Sequence, residues 1–364
     1  MTTSPQECPV YKKCGGCPLY ELSTQQEAQK KLQPVQEWLS SHAIEYTPDV
    51  QSFPWRGFRD RCDLQYSNGT VGLYQRQSND IAAITECLKV HPLLNEAILW
   101  ITRNPLPIKR ASLLLRRAPD NTIGIWIDTS NLNISILLKE KTWLAKAHET
   151  FVIELGQRHK RLKVKEDGWG LEKRPVLYPW FETYSSQNQT SLLYSTIGSF
   201  TQPSMRSNKI LVQAVRDVVT RSKSQHWLEY GCGTGNFTFM LSQYVQTVHL
   251  LETHPVSRKG LQRGLQDVHT KAKVRFIENS LEEHTFEAAL IDPPRSGMGT
   301  SIHALATHPT CTEIIYVSCS FESMKSDMEQ LFAAGYTLTS INGIDQFPKS
   351  SHCEWVAHLE KTAL

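Results

Sequence analysis

Apolar and polar residues follow two rhythms along this chain, and the change between them falls near residue 191. Before it, alternating and β-branched runs are broken by turn residues. Arg59 to Tyr74 reads as two strands joined at Ser67-Asn68-Gly69, a hairpin signal. Ala111-Ser-Leu-Leu-Leu, Gly124-Ile-Trp-Ile-Asp and Ile134-Ser-Ile-Leu-Leu read as further strands. Two helices are expected beside them. One runs from Ser23, its N-cap, to Leu39 and is interrupted by Pro34; the other spans about Thr142–Leu155. Residues 50–190 should therefore be mostly β.

After residue 191, short apolar runs alternate with helix-period stretches, the signature of a parallel sheet. A helix from Ser207 to Val219 leads in. An apolar strand then enters Glu229-Tyr-Gly231-Cys-Gly233-Thr-Gly235-Asn236, a turn whose glycines permit tight folding and close backbone approach to a nucleoside. The next strand, Val248-His-Leu-Leu, ends in Glu252, placed to accept hydrogen bonds from ribose hydroxyls. The turn lacks the Gly-Lys-Ser/Thr of a phosphate loop, and its form suits S-adenosylmethionine better than a dinucleotide.

Two more strand ends bring chemistry to the same edge. Ala288-Ala-Leu-Ile runs into Asp292-Pro-Pro-Arg295-Ser-Gly, an acid followed by a rigid loop. Ile314 to Val317 ends in Ser318-Cys319-Ser320, so a thiol sits where open α/β sheets bind ligands. Such a cysteine is a candidate nucleophile once its pKa is lowered. His352-Cys353-Glu354 precedes a last strand, Trp355-Val-Ala-His-Leu, expected to close the sheet and bring Glu354 toward Cys319.

Composition adds a second centre. Three of the nine cysteines, Cys8, Cys14 and Cys17, lie in the first seventeen residues, and Cys87 follows at a distance. Four thiolates suit tetrahedral zinc or a 4Fe–4S cluster, with Gly15-Gly16 letting the backbone fold tightly. A lone fourth ligand, in place of a second close pair, leans toward iron–sulfur; Cys62 is an alternative ligand but reads as a strand residue. The net charge of +3 does not by itself argue for nucleic acid. Basic residues are nevertheless concentrated locally. Arg56, Arg59 and Arg61 flank the hairpin, and Arg158, Lys160, Arg161, Lys163 and Lys165 stand near Trp169, a mixture suited to phosphate contact and base stacking. No run reaches the roughly 18 apolar residues of a membrane span, and no secretory signal is visible, so a cytoplasmic, non-membrane protein is expected.

Together these motifs resemble the RNA (uracil-C5)-methyltransferase family, and in particular its iron–sulfur-containing members that make 5-methyluridine in 23S rRNA. The resemblance rests on the four cysteines with His91-Pro92, Phe200-Thr-Gln202-Pro, Gly231 to Phe237, Asp292-Pro-Pro-Arg-Ser-Gly, Ser318-Cys319 and His352-Cys-Glu354. It implies an α/β chain in which a C-terminal class I (Rossmann-like) methyltransferase domain, 191–364, follows a cluster region, 1–96, and a β-rich RNA-contacting domain, 97–190. It also implies 4Fe–4S ligands at Cys8, Cys14, Cys17 and Cys87, with zinc the alternative. S-adenosylmethionine contacts fall on Gln202, Gly231, Gly233, Gly235, Asn236, Glu252, Ser280 and Asp292. Cys319 becomes the nucleophile and Glu354 the proton acceptor. The implied partner is RNA, ribosomal in preference to transfer RNA, for a monomeric enzyme. The sequence departs from the family pattern at Ser320-Phe321, where Asn or Asp and then Pro is common, and at Gly231, often aromatic. It also leaves no room before Cys8 for the OB-like domain of larger members. Competing readings are an N-methyltransferase of nucleic acid or protein, against which Arg295 and Cys319 argue, and a non-catalytic cluster or zinc RNA-binding protein.

Overall fold

The computed structural model describes residues 7–128, 134–156, 160–166, 168–186, 189–278 and 280–361; Arg158 of the basic run lies outside them. The chain divides into two compact units. One comprises Met1–Tyr20, Pro54–Phe181 and Tyr194–Ser204, the other Glu21–Phe53, Glu182–Leu193 and Met205–Leu364.

Helix α1 (Thr24–Ser41) opens at a capping box in which Ser23 and Gln26 satisfy each other's backbone N–H groups. Pro34, expected to interrupt the helix, lies inside it. Pro34 and Lys30, whose carbonyl loses its partner, are both exposed, so water replaces the missing bond. Val35, Trp38 and Leu39 meanwhile are buried. A short strand β1 (Val50–Gln51) follows.

The first unit is built on an eight-stranded sheet. Its elements are β2 (Arg61–Ser67), β3 (Thr70–Tyr74), β4 (Ile81–Ala83), α2 (Pro92–Arg103), β5 (Arg110–Arg117), β6 (Ile123–Asp128), α3 (Ile134–Lys139), α4 (Lys141–His148), β7 (Val152–Leu155), β8 (Lys160–Lys165) and β9 (Gly168–Leu171), in the order β4-β3-β2-β5-β6-β7-β8-β9. Asn68 and Gly69 turn the β2–β3 hairpin with positive φ, as a two-residue loop requires. Two expectations fail here. Ile134–Leu138 is helical, because an apolar run this short fits either period and tertiary packing decides: Leu137 turns into the core with Leu144 and Ala147 while Ile136 is left exposed. The helix expected over Thr142–Leu155 ends at His148, and Val152–Leu155 instead pairs parallel to β6.

Strands β10 (Tyr178–Ser186) and β11 (Gln189–Ser195) form a two-stranded sheet. The second unit then runs through α5 (Met205–Val219), β12 (His226–Tyr230), α6 (Thr238–Tyr244), β13 (Thr247–Leu251), α7 (Pro255–Leu265), β14 (Lys273–Phe276), β15 (Ala288–Ile291), α8 (Ser301–Ala306), β16 (Glu313–Ser318), α9 (Phe321–Ala333), β17 (Tyr336–Ile344) and β18 (Glu354–Lys361). Its sheet order is β14-β13-β12-β15-β16-β18-β17-β1. Strands β12 to β16 are parallel, and the chain steps outward from β12 on one side and from β15 on the other, which opens a crevice at their carboxyl ends. The last strand does not close the sheet from its edge. It inserts antiparallel between β16 and β17, leaving β1 outermost. No helix among the described residues is long and apolar enough to cross a membrane.

Candidate active site and cysteine centre

Cys319 is the first residue beyond β16, a strand buried along its whole length. The β16–β18 register pairs Ser318 with Trp355, so one further step sets Cys319 opposite Glu354. Ser320 ends the loop by capping α9, its Oγ accepting from Ser323 N at 3.4 Å. A serine thus fills the capping role open to Asn or Asp there. Burial and the neighbouring Glu354 carboxylate push the half-buried Cys319 thiol up, and a hydrogen bond from Arg295 pulls the other way. Glu354 is 3% exposed. Its carboxyl is held well above the usual range, first by burial and then by Asp292, while Gln346 and Arg295 oppose the shift. Asp292, half-buried at the end of β15, is also raised by burial.

The glycine turn lies in the same unit. Gly231 has φ +75°, and a Cβ there would stand 2.8 Å from Asp292 O; only glycine lets the turn pass so close to the β15 loop. Glu252 folds back onto this turn, accepting from Gly233 N at 2.9 Å and from His254 N at 2.6 Å. Asn236 exchanges two 2.9 Å hydrogen bonds with Asn208, so its side chain braces the turn against α5. Beneath the turn, Glu229 accepts from Thr238 Oγ1 at 2.6 Å, and burial pushes its carboxyl up to about 8. The other oxygen, Oε1, is buried with no partner among the described residues.

Several supporting residues have no motif to reveal them. Asp327 on α9 accepts from Tyr316 OH at 2.5 Å and from Met298 N at 2.8 Å, which ties down the loop bearing Arg295. Gln346 is fully buried between Ser207 and Glu354: Ser207 Oγ donates to its Oε1 at 2.8 Å, and its Nε2 donates to Glu354 Oε2 at 3.3 Å. The segment carrying Gln346 is anchored on α1 by buried charges. Lys31 Nζ lies 2.7 Å from both Glu27 and Asp345, and Lys349 N donates to Glu27 at 2.5 Å.

Two cofactor candidates remain, Ser280 and Gln202. Ser280 is exposed and caps a single helical turn through Glu282 N at 3.3 Å. Gln202 belongs to the first unit, buried in the segment Tyr194–Ser204. Arg116 donates to Thr196 O at 3.2 Å and Glu154 accepts from Ile197 N at 2.7 Å, which seats that segment.

The first unit also gathers the cysteines. Cys8, Cys14, Cys17, Cys62 and Cys87 line one cavity of about 160 Å³. Arg76 fixes the N-terminal loop through the carbonyls of Tyr11, Cys14 and Cys17 at 3.0–3.3 Å. Asn95 on α2 pins Cys87 by bonds to its N and O at 2.7 and 3.2 Å. Burial raises Cys14, Cys17 and Cys87, and proximity to one another raises Cys14 and Cys17 further. Among the described residues, no three of these sulfurs come within 4.8 Å of one another.

The model of the tRNA (Uracil-5-)-methyltransferase family matches residues 179–269 and 256–362. Over 377 residues the chain is 30% identical to an uncharacterized RNA methyltransferase of Bdellovibrio bacteriovorus, covering 99% of this chain and 96% of that protein. It is 27% identical over 372 residues to the 23S rRNA (uracil(1939)-C(5))-methyltransferase of Histophilus somni, covering 97% and 81%. Among solved structures it is similar to the Pyrococcus abyssi tRNA (uracil-54, C5)-methyltransferase in complex with S-adenosyl-L-homocysteine, with a TM-score of 0.71 at 19% identity, covering 98% and 88%. That likeness shows a class I S-adenosylmethionine-dependent methyltransferase fold. The chain belongs to the RNA (uracil-5-)-methyltransferase family.

Proposed function

We propose that this enzyme transfers the methyl group of S-adenosylmethionine to C5 of a uridine in 23S rRNA, with Cys319 as nucleophile and Glu354 as base. The observation that carries the reading is the β16–β18 register, which sets a thiol opposite a buried carboxylate at the carboxyl edge of the sheet. Uracil C5 is a weak nucleophile until something adds at C6. The Cys319 thiolate bonds to C6, and the C5=C6 electrons move onto O4 as an enolate. C5 then takes the methyl group, releasing S-adenosylhomocysteine. Glu354 removes the C5 proton, and re-formation of C5=C6 expels the thiolate. Arg295, hydrogen-bonded to the sulfur, favours the thiolate. Once the C6–S bond forms, the charge that opposed Glu354 has moved to the uracil oxygen. The glycine turn, Glu252 and Asp292 supply the cofactor's bed, and the unpartnered Glu229 Oε1 beneath it is a buried acceptor. The target base has to leave its stack, since C6 is not reachable within a duplex.

The cysteine cavity fits a cluster better than zinc. Zinc–sulfur bonds of about 2.3 Å place tetrahedral ligand sulfurs only about 3.8 Å apart. Among the described residues no three of the sulfurs lie within 4.8 Å of one another, wider than a tetrahedral zinc set stands. Cys8, Cys14, Cys17 and Cys87 would hold the cluster. When bound, it would supply electron-accepting capacity and a rigid cross-link of the N-terminal loop to the segment that precedes α2; no step above uses an electron. Ribosomal RNA is favoured by the 27% identity to the Histophilus somni enzyme, against 19% to the transfer-RNA enzyme of Pyrococcus abyssi.

RNA containing 5-fluorouridine tests the chemistry. Fluorine cannot leave as a proton, so incubation with S-adenosylmethionine should give a denaturation-resistant adduct that sequencing maps to one rRNA uridine. Cys319→Ala should form none and lose methyl transfer. A Cys319→Ala enzyme that methylates RNA at the wild-type rate would sink the assignment, and an adduct on transfer RNA would move the substrate.

A further inference from the structure

The cysteine cavity also holds two cations. Lys89, two residues beyond Cys87, lines it and is only 5% exposed. Its Nζ donates to Gly16 O at 3.2 Å, within the Cys14-Gly-Gly-Cys17 loop. Arg59 lines the same cavity, and Arg59 N donates to Lys89 O at 2.8 Å, so the two cations ride on bonded backbone segments. Among the groups acting on Lys89 electrostatically are Arg59, Cys17, Cys87, Cys62 and Cys14. Asp63 and Glu86 reach the cavity rim, but Asp63 is largely exposed and pairs with Arg61. Lys89 takes no part in the ion pairs Arg61–Asp63, Arg117–Asp60 and Lys163–Glu172.

A buried ammonium without a carboxylate is costly unless another anion faces it. Neutral thiols offer none, and of the two carboxylates that line the cavity Asp63 is drawn to Arg61. With four thiolates on a cubane core the centre is a net dianion, and Lys89 with Arg59 would neutralise it where water cannot. We propose that Lys89 is the counter-cation of the cysteine-held centre, so that its charge raises the reduction potential of that centre and retains it. This rests on the reading of Cys8, Cys14, Cys17 and Cys87 as 4Fe–4S ligands.

The full-length protein, reconstituted anaerobically with iron and sulfide, tests both layers. Wild-type protein that takes up no iron–sulfur overturns the cluster reading itself. In loaded protein, protein-film voltammetry compares wild type, Lys89→Met and Lys89→Arg. Lys89→Met should shift the ratio of reduced to oxidised cluster about tenfold toward oxidised, a midpoint about 59 mV lower for one electron, and Lys89→Arg should keep the wild-type midpoint. If Lys89→Met cannot hold the cluster while Lys89→Arg does, charge is again what the site requires. An unmoved midpoint in Lys89→Met, or equal loss of cluster in both variants, overturns the proposal.

Discussion

Gln346→Leu removes the hydrogen bond to the proposed base, together with the one Gln346 accepts from Ser207 Oγ. The substitution keeps the side chain's bulk in a fully buried site and removes the amide that donates to Glu354 Oε2 at 3.3 Å. A hydrogen bond to a charged group is worth about 1.5–3 kcal/mol, and one this long belongs at the lower end. At 1.36 kcal/mol per pKa unit, losing about 1.5 kcal/mol raises the Glu354 pKa by about one unit. The sign follows from the charges. Burial and then Asp292 already push Glu354 up, and Gln346 opposes them, so its loss pushes further up. The base acts as carboxylate, so the acid limb of kcat/KM should move about one pH unit higher. Activity below the limb should fall about tenfold and the plateau at higher pH should survive. Release of tritium from 5-tritiated uridine in RNA, measured across pH, reads the limb directly. An unmoved limb, or an equal loss at every pH, would refute the role given to Gln346.

Two further outcomes follow from the buried charges. Glu354 has a folded pKa above its unfolded value, so the unfolded chain gives up this proton first and stability falls as pH rises from the unfolded toward the folded pKa. Glu354→Gln should therefore melt higher than wild type at neutral pH, with the gain vanishing in acid, while methyl transfer is lost; thermal denaturation across pH checks this. Lys31→Met leaves Asp345 buried without the cation 2.7 Å away. The expected cost is about 3–5 kcal/mol at neutral pH in urea titrations, shrinking as acid protonates Asp345. Activity should fall in parallel, because Asp345 adjoins Gln346.

The parts of this protein that were legible in its sequence are those fixed by local backbone demands. A turn with three positive-φ glycines, Gly231, Gly233 and Gly235, has few alternatives to glycine, so it announces itself. A buried strand ending in Ser318-Cys319 and another beginning at Trp355 likewise placed Cys319 and Glu354 at one sheet edge. The hairpin at Asn68-Gly69 was readable for the same reason. Where local demands were weak, the reading failed: Ile134–Leu138 satisfied two periods, and Pro34 sat on a face where water could replace the bond it lost.

What stayed hidden depends on partners hundreds of residues away. Glu27 and Lys31 look in sequence like an exposed i,i+4 pair on a solvated helix face. They are buried because Asp345 and Lys349 arrive on top of them, a contact that spans over 300 residues. The same long connection makes Val50–Gln51 pair with Gly343–Ile344, which puts α1 and β1 in the unit that bears Cys319. These contacts converge on one short stretch. Asp345 is gripped by Lys31, Gln346 touches Glu354, and Lys349 is held by Glu27. The N-terminal helix, which carries no chemical motif, therefore sets the position of the amide that opposes the upward shift of the proposed base. A residue at that helix can alter the pH dependence of the reaction without touching substrate or cofactor, and that coupling lies in the topology of the sheet, out of reach of any motif.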